Sequence, residues 1–104
     1  MQFRELVERA KTVQEGYRNL NQTKGFRPWT TAEYMQGFVG DVGDLTKLIM
    51  AKNNYRANEN IDEKIAHELA DCMWSIMVLA SELGVDLETE FNRTMDELEE
   101  RVKI

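Results

Sequence analysis

The sequence predicts an all-α fold, a four-helix-bundle-like protomer in which residues 1–104 form one domain. Three observations carry this. Apolar residues recur at steps of three and four along most of the chain. Strand-like alternation is almost absent, and the 104 residues contain a single proline, Pro28. There is no internal repeat, low-complexity tract or linker.

The first helix is expected from about Phe3 to Leu20. Phe3, Leu6, Val7, Ala10, Val13, Tyr17 and Leu20 draw one apolar stripe along it. Asn21 to Trp29, with Gly25 and Pro28, reads as a loop. A second helix begins near Thr30, where Thr30-Thr31-Ala32-Glu33 has the capping-box form. It runs to about Lys52, and the polar stretch Asn53 to Asn60 follows as a loop.

The third helix spans about Asp62 to Gly84, a natural C-terminal cap residue. It is apolar nearly all round, with Lys64, Glu68, Asp71 and Ser75 forming one polar line. A helix apolar on most sides is usually central, so that line is expected to face an internal site. The fourth helix starts at the N-cap Asp86 and carries a narrower stripe of Leu87, Phe91, Leu98 and Val102.

Two details depart from a plain bundle. Gly37, Gly40 and Gly43 lie at three-residue steps inside the second helix. Each costs about 1 kcal/mol relative to alanine, which calls for close approach of another helix or a ligand. The third helix also has more apolar surface than three short partners can cover. A homodimer or dimer of dimers sharing a helical core is therefore expected.

Composition narrows the function. At 42% hydrophobic and 31% charged, the chain reads as an ordinary soluble globular protein. The longest apolar run, Cys72 to Ala80, is broken by Ser75 and is too short to span a bilayer. No membrane association is expected, and no signal peptide is visible. The single cysteine, Cys72, excludes an intramolecular disulfide and fits a reducing, cytoplasmic compartment. Within its apolar helix it reads as a small core residue. A net charge of −6 argues against duplex nucleic acid as a partner. It still allows a small polyphosphate whose charge a divalent metal would offset.

The sharpest signal is a set of four carboxylates. Asp41 and Asp44 interrupt GFVGDVGDLTKLIMA, and Glu68 and Asp71 interrupt HELADCMWSIMVLA. Within each pair the spacing is i, i+3, so both side chains share a helix face. A carboxylate on a core-facing surface is costly unless it is paired, hydrogen-bonded or bound to metal. The 23 residues from Leu45 to His67 are enough to finish one helix, turn and begin the next. Antiparallel packing would bring the pairs together as an all-oxygen site suited to Mg²⁺, with Mn²⁺ as the alternative.

This D-x-x-D followed by E-x-x-D resembles the MazG-like nucleoside triphosphate pyrophosphohydrolases, an all-α superfamily with the signature E-x-x-E, a gap, then E-x-x-D. GDVGDLTKLIMAK resembles the family's first motif helix, and HELADCMWSIMVLASELGVDLETEF its second motif and following turn. The likeness covers roughly Trp29 to Arg101. It implies hydrolysis of a (deoxy)nucleoside triphosphate between the α- and β-phosphates, giving a monophosphate and pyrophosphate, in the service of nucleotide-pool house-cleaning. Asp41, Asp44, Glu68 and Asp71 would be the Mg²⁺ ligands. The metal would neutralise the triphosphate and lower the pKa of a bound water, with Asp44 or Glu68 orienting or deprotonating that water. One departure stands out. Asp41 and Asp44 replace the usual glutamates, each carboxylate lying about 1.5 Å nearer its backbone.

Substrate contacts are expected from Lys47, Lys64, Asn92 and Arg93, with Lys52 and Arg56 as further cations that could hold phosphate oxygens. Lys64 has the best position, one turn before Glu68. Asn92 and Arg93 fall where the family commonly has an Asn and a basic residue, with Thr94 near the usual lysine. Trp29 is the aromatic expected to stack on a base, while Phe26, Tyr34 and Trp74 read as packing and His67 as a surface residue. The alternative is a catalytically degenerate helical module that binds nucleotide or a protein partner. A di-iron bundle is disfavoured because paired Glu-x-x-His motifs are missing.

Overall fold

A computed structural model describes residues 1–53 and 60–103. Arg56 and most of the expected loop after the second helix lie outside the described residues. The described part is built from four helices: α1 (Phe3–Thr23), α2 (Thr31–Asn53), α3 (Ile61–Glu82) and α4 (Leu87–Arg101). Local chemistry sets their ends. The α1 helix is closed by Lys24 and by Gly25 at φ 82, a left-handed conformation that favours glycine. At the start of α2 the capping box forms as expected. The Thr30 N–H donates to Glu33 Oε1 at 3.1 Å, and the Glu33 N–H donates to Thr30 Oγ1 at 3.4 Å. Beyond α3, Gly84 at φ 69 lets the Val85 N–H reach the Ala80 carbonyl at 2.8 Å, so the helix terminates there. Asp86 then caps α4 by accepting from the Thr89 N–H at 3.3 Å.

The central element is α3, as its all-round apolarity predicts. It pairs with α2 along most of its length, and three cross-contacts fix the direction. Asp41 meets Ser75, the Asp41 and Asp44 carboxylates meet Glu68, and Lys52 forms an ion pair with Asp62. Residue numbers rise on one helix as they fall on the other, so the two are antiparallel. On its other side α3 carries α1. The Trp74 indole N–H donates to the Ala10 carbonyl at 3.1 Å, and the Gln14 amide donates to Glu82 Oε1 at 2.5 Å. Ala10, Tyr34, Cys72, Met77, Val78 and Ala80 form the core, and only Val78 among the described residues is fully enclosed.

That core is thin, and the packing departs from a four-helix bundle. Among the described residues α4 packs extensively against none of the other helices, and its Phe91 remains 59% exposed. A stripe of Leu87, Phe91 and Leu98 is too narrow to compete for the sides of α3 that α1 and α2 already hold. Apolar side chains also stay half exposed on the outer faces of α2 (Val39, Met50) and α3 (Leu69, Met73). No described helix is long and apolar enough to cross a membrane.

The three glycines of α2 separate in role. A Cβ on Gly37 would lie 3.3 Å from Cζ3 of Trp29, so the indole rests on the helix backbone there. At Gly40 and Gly43 a Cβ would meet nothing within 4 Å. Among the described residues no other helix approaches these glycines as the sequence suggests; the one close neighbour is the Trp29 side chain at Gly37.

Candidate metal centre and the adjoining cavity

Antiparallel pairing of α2 and α3 brings the acidic motifs together. One carboxylate oxygen each from Asp41, Asp44 and Glu68 lies within 4.8 Å of the others. Asp41 and Glu68 are half-buried between the helices, and Asp44 is exposed at the edge. The buried Ser75 hydroxyl donates to Asp41 Oδ2 at 3.4 Å. Asp71, one turn along α3 from Glu68, is engaged differently: His67 Nε2 lies 3.2 Å from its Oδ2. His67 is exposed, as its reading as a surface residue expects, and from the surface it also partners a motif carboxylate.

The electrostatics are those of crowded anions. Loss of solvent pushes the Glu68 carboxyl above its ordinary value, the charges of Asp71, Asp41 and Asp44 push it further, and His67 opposes them. Asp41 is raised first by desolvation and then by Asp71, with the Ser75 hydrogen bond working the other way. Burial, followed by these same anions, raises the Cys72 thiol. That side chain is therefore a neutral packing group and not a nucleophile. Glu68 Oε2 is buried without a hydrogen-bond partner, a condition that ordinarily costs stability. An all-oxygen donor set containing an unsatisfied buried acceptor fits a hard divalent cation.

A pH dependence follows. Because Glu68 and Asp41 are raised in the fold, their contribution to stability is full below their ordinary values of 4.5 and 3.8. It is lost as pH rises through the raised values. Glu33 runs the other way. Its hydrogen bond from the Thr30 backbone, and then Arg27, hold it below 4.5, so its contribution is lost as pH falls. Thermal melts of metal-free protein and of Glu68→Gln isolate the Glu68 part. The parent should lose stability relative to the variant as pH rises from about 4 to 7.

Beside the carboxylates lies a cavity of about 570 Å³, within the size range of small-molecule sites. Val13, Tyr17, Arg18 and Asn21 of α1 line it, with Trp29, Tyr34 and Asp41 and with His67, Ala70, Asp71 and Trp74 of α3. Its walls hold two edge-to-face aromatic pairs. The Tyr17–Trp74 centroids are 6.1 Å apart at 66°, and Trp29–Tyr34 are 5.5 Å apart at 65°. Asp41 and Asp71 therefore belong to both the acidic face and the aromatic cavity.

Of the substrate contacts expected from sequence, Trp29 lines this cavity. Lys47 and Lys64 are exposed and lie outside its lining, and Lys52 is paired with Asp62. Asn92 and Arg93 are exposed on α4, where Arg93 pairs with Glu90 at 3.1 Å. Tyr17, Arg18, Asn21 and Trp74 were not foreseen as lining residues. For Trp74 a signal existed, since it stands three residues after Asp71 and so shares its face. For the α1 residues there was none, because periodicity does not say which neighbour a helix packs against.

The geometry defines an all-α protein in which carboxylates from two antiparallel helices converge beside an aromatic cavity. The sequence profile of the MazG nucleotide pyrophosphohydrolase domain matches residues 29–103, and the chain belongs to that family. Neither a curated protein nor a solved structure matches the chain. The matched stretch contains both acidic motifs but stops short of α1, which supplies one wall of the cavity.

Proposed function

We propose that the protein is a Mg²⁺-dependent pyrophosphohydrolase of (deoxy)nucleoside triphosphates, releasing a nucleoside monophosphate and pyrophosphate. The observation that carries this reading is the convergence of Asp41, Asp44 and Glu68 oxygens within 4.8 Å, inside the segment that matches the family. Asp41, Asp44 and Glu68 hold the cation, with Mn²⁺ as a substitute, and Asp71 supports them from the next turn. Bound Mg²⁺ supplies the positive charge that offsets a triphosphate in a chain of net charge −6. The base enters the aromatic cavity, where Trp29, Tyr34, Tyr17 and Trp74 offer faces and edges for stacking. Either exposed Asp44 or half-buried Glu68 would orient a water and accept its proton. In the cell the activity would clear unwanted nucleotides from the cytoplasmic pool.

The deciding experiment is a hydrolysis screen of standard and modified (deoxy)nucleoside triphosphates with Mg²⁺ or Mn²⁺, resolved by chromatography. Monophosphate plus pyrophosphate is the expected outcome. Diphosphate plus phosphate, or no turnover with metal bound, would overturn the proposal, and the second result would favour a degenerate binding module.

A second copy of the chain is proposed to cover the half-exposed apolar faces of α2, α3 and α4, as a homodimer or dimer of dimers. Gly40 tests this. Because alanine there meets open space, a lone protomer should gain up to about 1 kcal/mol of helix stability from Gly40→Ala. If a partner helix approaches Gly40, the added methyl should instead weaken association. Sedimentation at several concentrations is expected to show weaker assembly for Gly40→Ala than for the parent.

A further inference from the structure

Resting on the functional reading above, we propose that Ser75 is a positioning residue that sets the Asp41 carboxylate for cation binding with Asp44 and Glu68. Ser75 is 4% exposed, and its hydroxyl donates to Asp41 Oδ2 at 3.4 Å. It ends the line Glu68, Asp71, Ser75, whose steps of three and four place all three residues on the face of α3 turned to α2. One turn before and after it, Cys72 and Val78 are buried and apolar. A hydroxyl in such a setting is costly unless it has a partner, and Asp41 is the partner it finds.

Chain length explains why this position matters here. An aspartate carboxylate reaches about 1.5 Å less far than a glutamate, so half-buried Asp41 stays close to its own helix and cannot adjust by flexing an extra methylene. Its terminal torsion is broad, and rotation would turn its oxygens away from Asp44 and Glu68. A donor held at Oδ2 restricts that rotation. At 3.4 Å the contact is long for an O–H···O bond. Partners that orient metal ligands in this way are typically worth ten- to a hundredfold in metal affinity or activity.

The test measures Mn²⁺ binding by the loss of the free-ion electron paramagnetic resonance signal, on purified parent, Ser75→Ala, Ser75→Cys and Ser75→Thr. The alanine and cysteine variants bracket the size of serine but lack its hydroxyl donor. Both should bind Mn²⁺ about tenfold more weakly, with metal-free melting temperatures close to the parent's. Ser75→Thr keeps the hydroxyl and should recover most of the affinity. Parent-like affinity in both hydroxyl-free variants would overturn the role of Ser75 while leaving the functional reading intact. So would a loss of affinity matched by loss of the metal-free fold in both. Absence of Mn²⁺ binding in the parent, or parental binding retained in Glu68→Gln, would overturn both readings together.

Discussion

Glu68→Gln is expected to reduce Mg²⁺-dependent turnover by more than about a hundredfold, beyond the usual effect of losing a mere supporting partner of a metal ligand. The substitution is close to isosteric, so α3 keeps its packing. What changes is charge: the carboxylate becomes an amide that presents N–H donors to the Asp41 and Asp44 oxygens. Metal-free stability should then hold or rise, because Glu68 sits among like charges and carries a buried oxygen without a partner. In the parent, Mg²⁺ should raise the melting temperature by binding the folded state alone, and in the variant that response should vanish. Pyrophosphate release and thermal melts with and without Mg²⁺ measure both halves. A variant that melts early without metal, beside a parent indifferent to Mg²⁺, would assign the carboxylates to structural pairing and sink the enzymatic reading.

The convergence of Asp41, Asp44 and Glu68 was legible in the sequence, and the reason is physical, whereas Asp71, expected beside them, lies outside that cluster and pairs with His67. Acidic residues at i, i+3 on otherwise apolar helices are expensive to bury, so they advertise a shared face wherever they stand. A gap of 23 residues between the pairs permits an antiparallel return, and the pairing of Lys52 near the end of α2 with Asp62 near the start of α3 shows that it occurs. The ends marked by Thr30, Gly84 and Asp86 were equally readable, because these residues carry local capping chemistry, whereas α1 runs past the expected Leu20 to Thr23. The cavity was not. Its α1 wall, Tyr17, Arg18 and Asn21, depends on how one amphipathic helix docks on another. A stripe of apolar residues names the buried face but not its neighbour. Lys47, Lys64, Asn92 and Arg93 are marked only by proximity in sequence or by resemblance, and the described protomer places none of them in the cavity lining. The near-isolation of α4 escaped for a related cause. Its stripe of Leu87, Phe91 and Leu98 resembles a bundle helix, yet Phe91 stays largely exposed in the single chain.

Arg18 illustrates how the cavity is tied to the rest of the fold. It lines the cavity and pairs with Glu15 at 2.9 Å and with Glu82 at 3.6 Å. Glu82 in turn accepts from buried Gln14. One carboxylate on α3 thus fixes two successive turns of α1, and with them the position of Tyr17. The aromatic cavity therefore depends on α1 docking, while the acidic cluster depends on α2 and α3 alone. Metal binding and base binding should be separable by mutation.

Trp74 is where that separation is best tested, and Trp74→Ala should carry the largest cost in stability. The indole donates to the Ala10 carbonyl at 3.1 Å, meets Tyr17 edge-on and lines the cavity. Truncating a large aromatic to alanine typically costs 3–5 kcal/mol, and partial exposure places this residue at about 3. For a chain of this size that is a fall of roughly 10–15 °C in melting temperature. Trp74→Phe keeps a ring against Tyr17 but loses the hydrogen bond, worth about 1 kcal/mol. The alanine variant should also raise KM for nucleotide about tenfold, in line with an aromatic stacking contact, while Mn²⁺ affinity stays near the parent's because Asp41, Asp44 and Glu68 are untouched. Urea denaturation, steady-state kinetics and metal titration on the two variants distinguish the roles. Loss of stability with KM unchanged would make Trp74 a packing residue only. Loss of metal affinity alongside stability would show instead that α1 docking holds the carboxylates in place, and the two halves of the site would then be one.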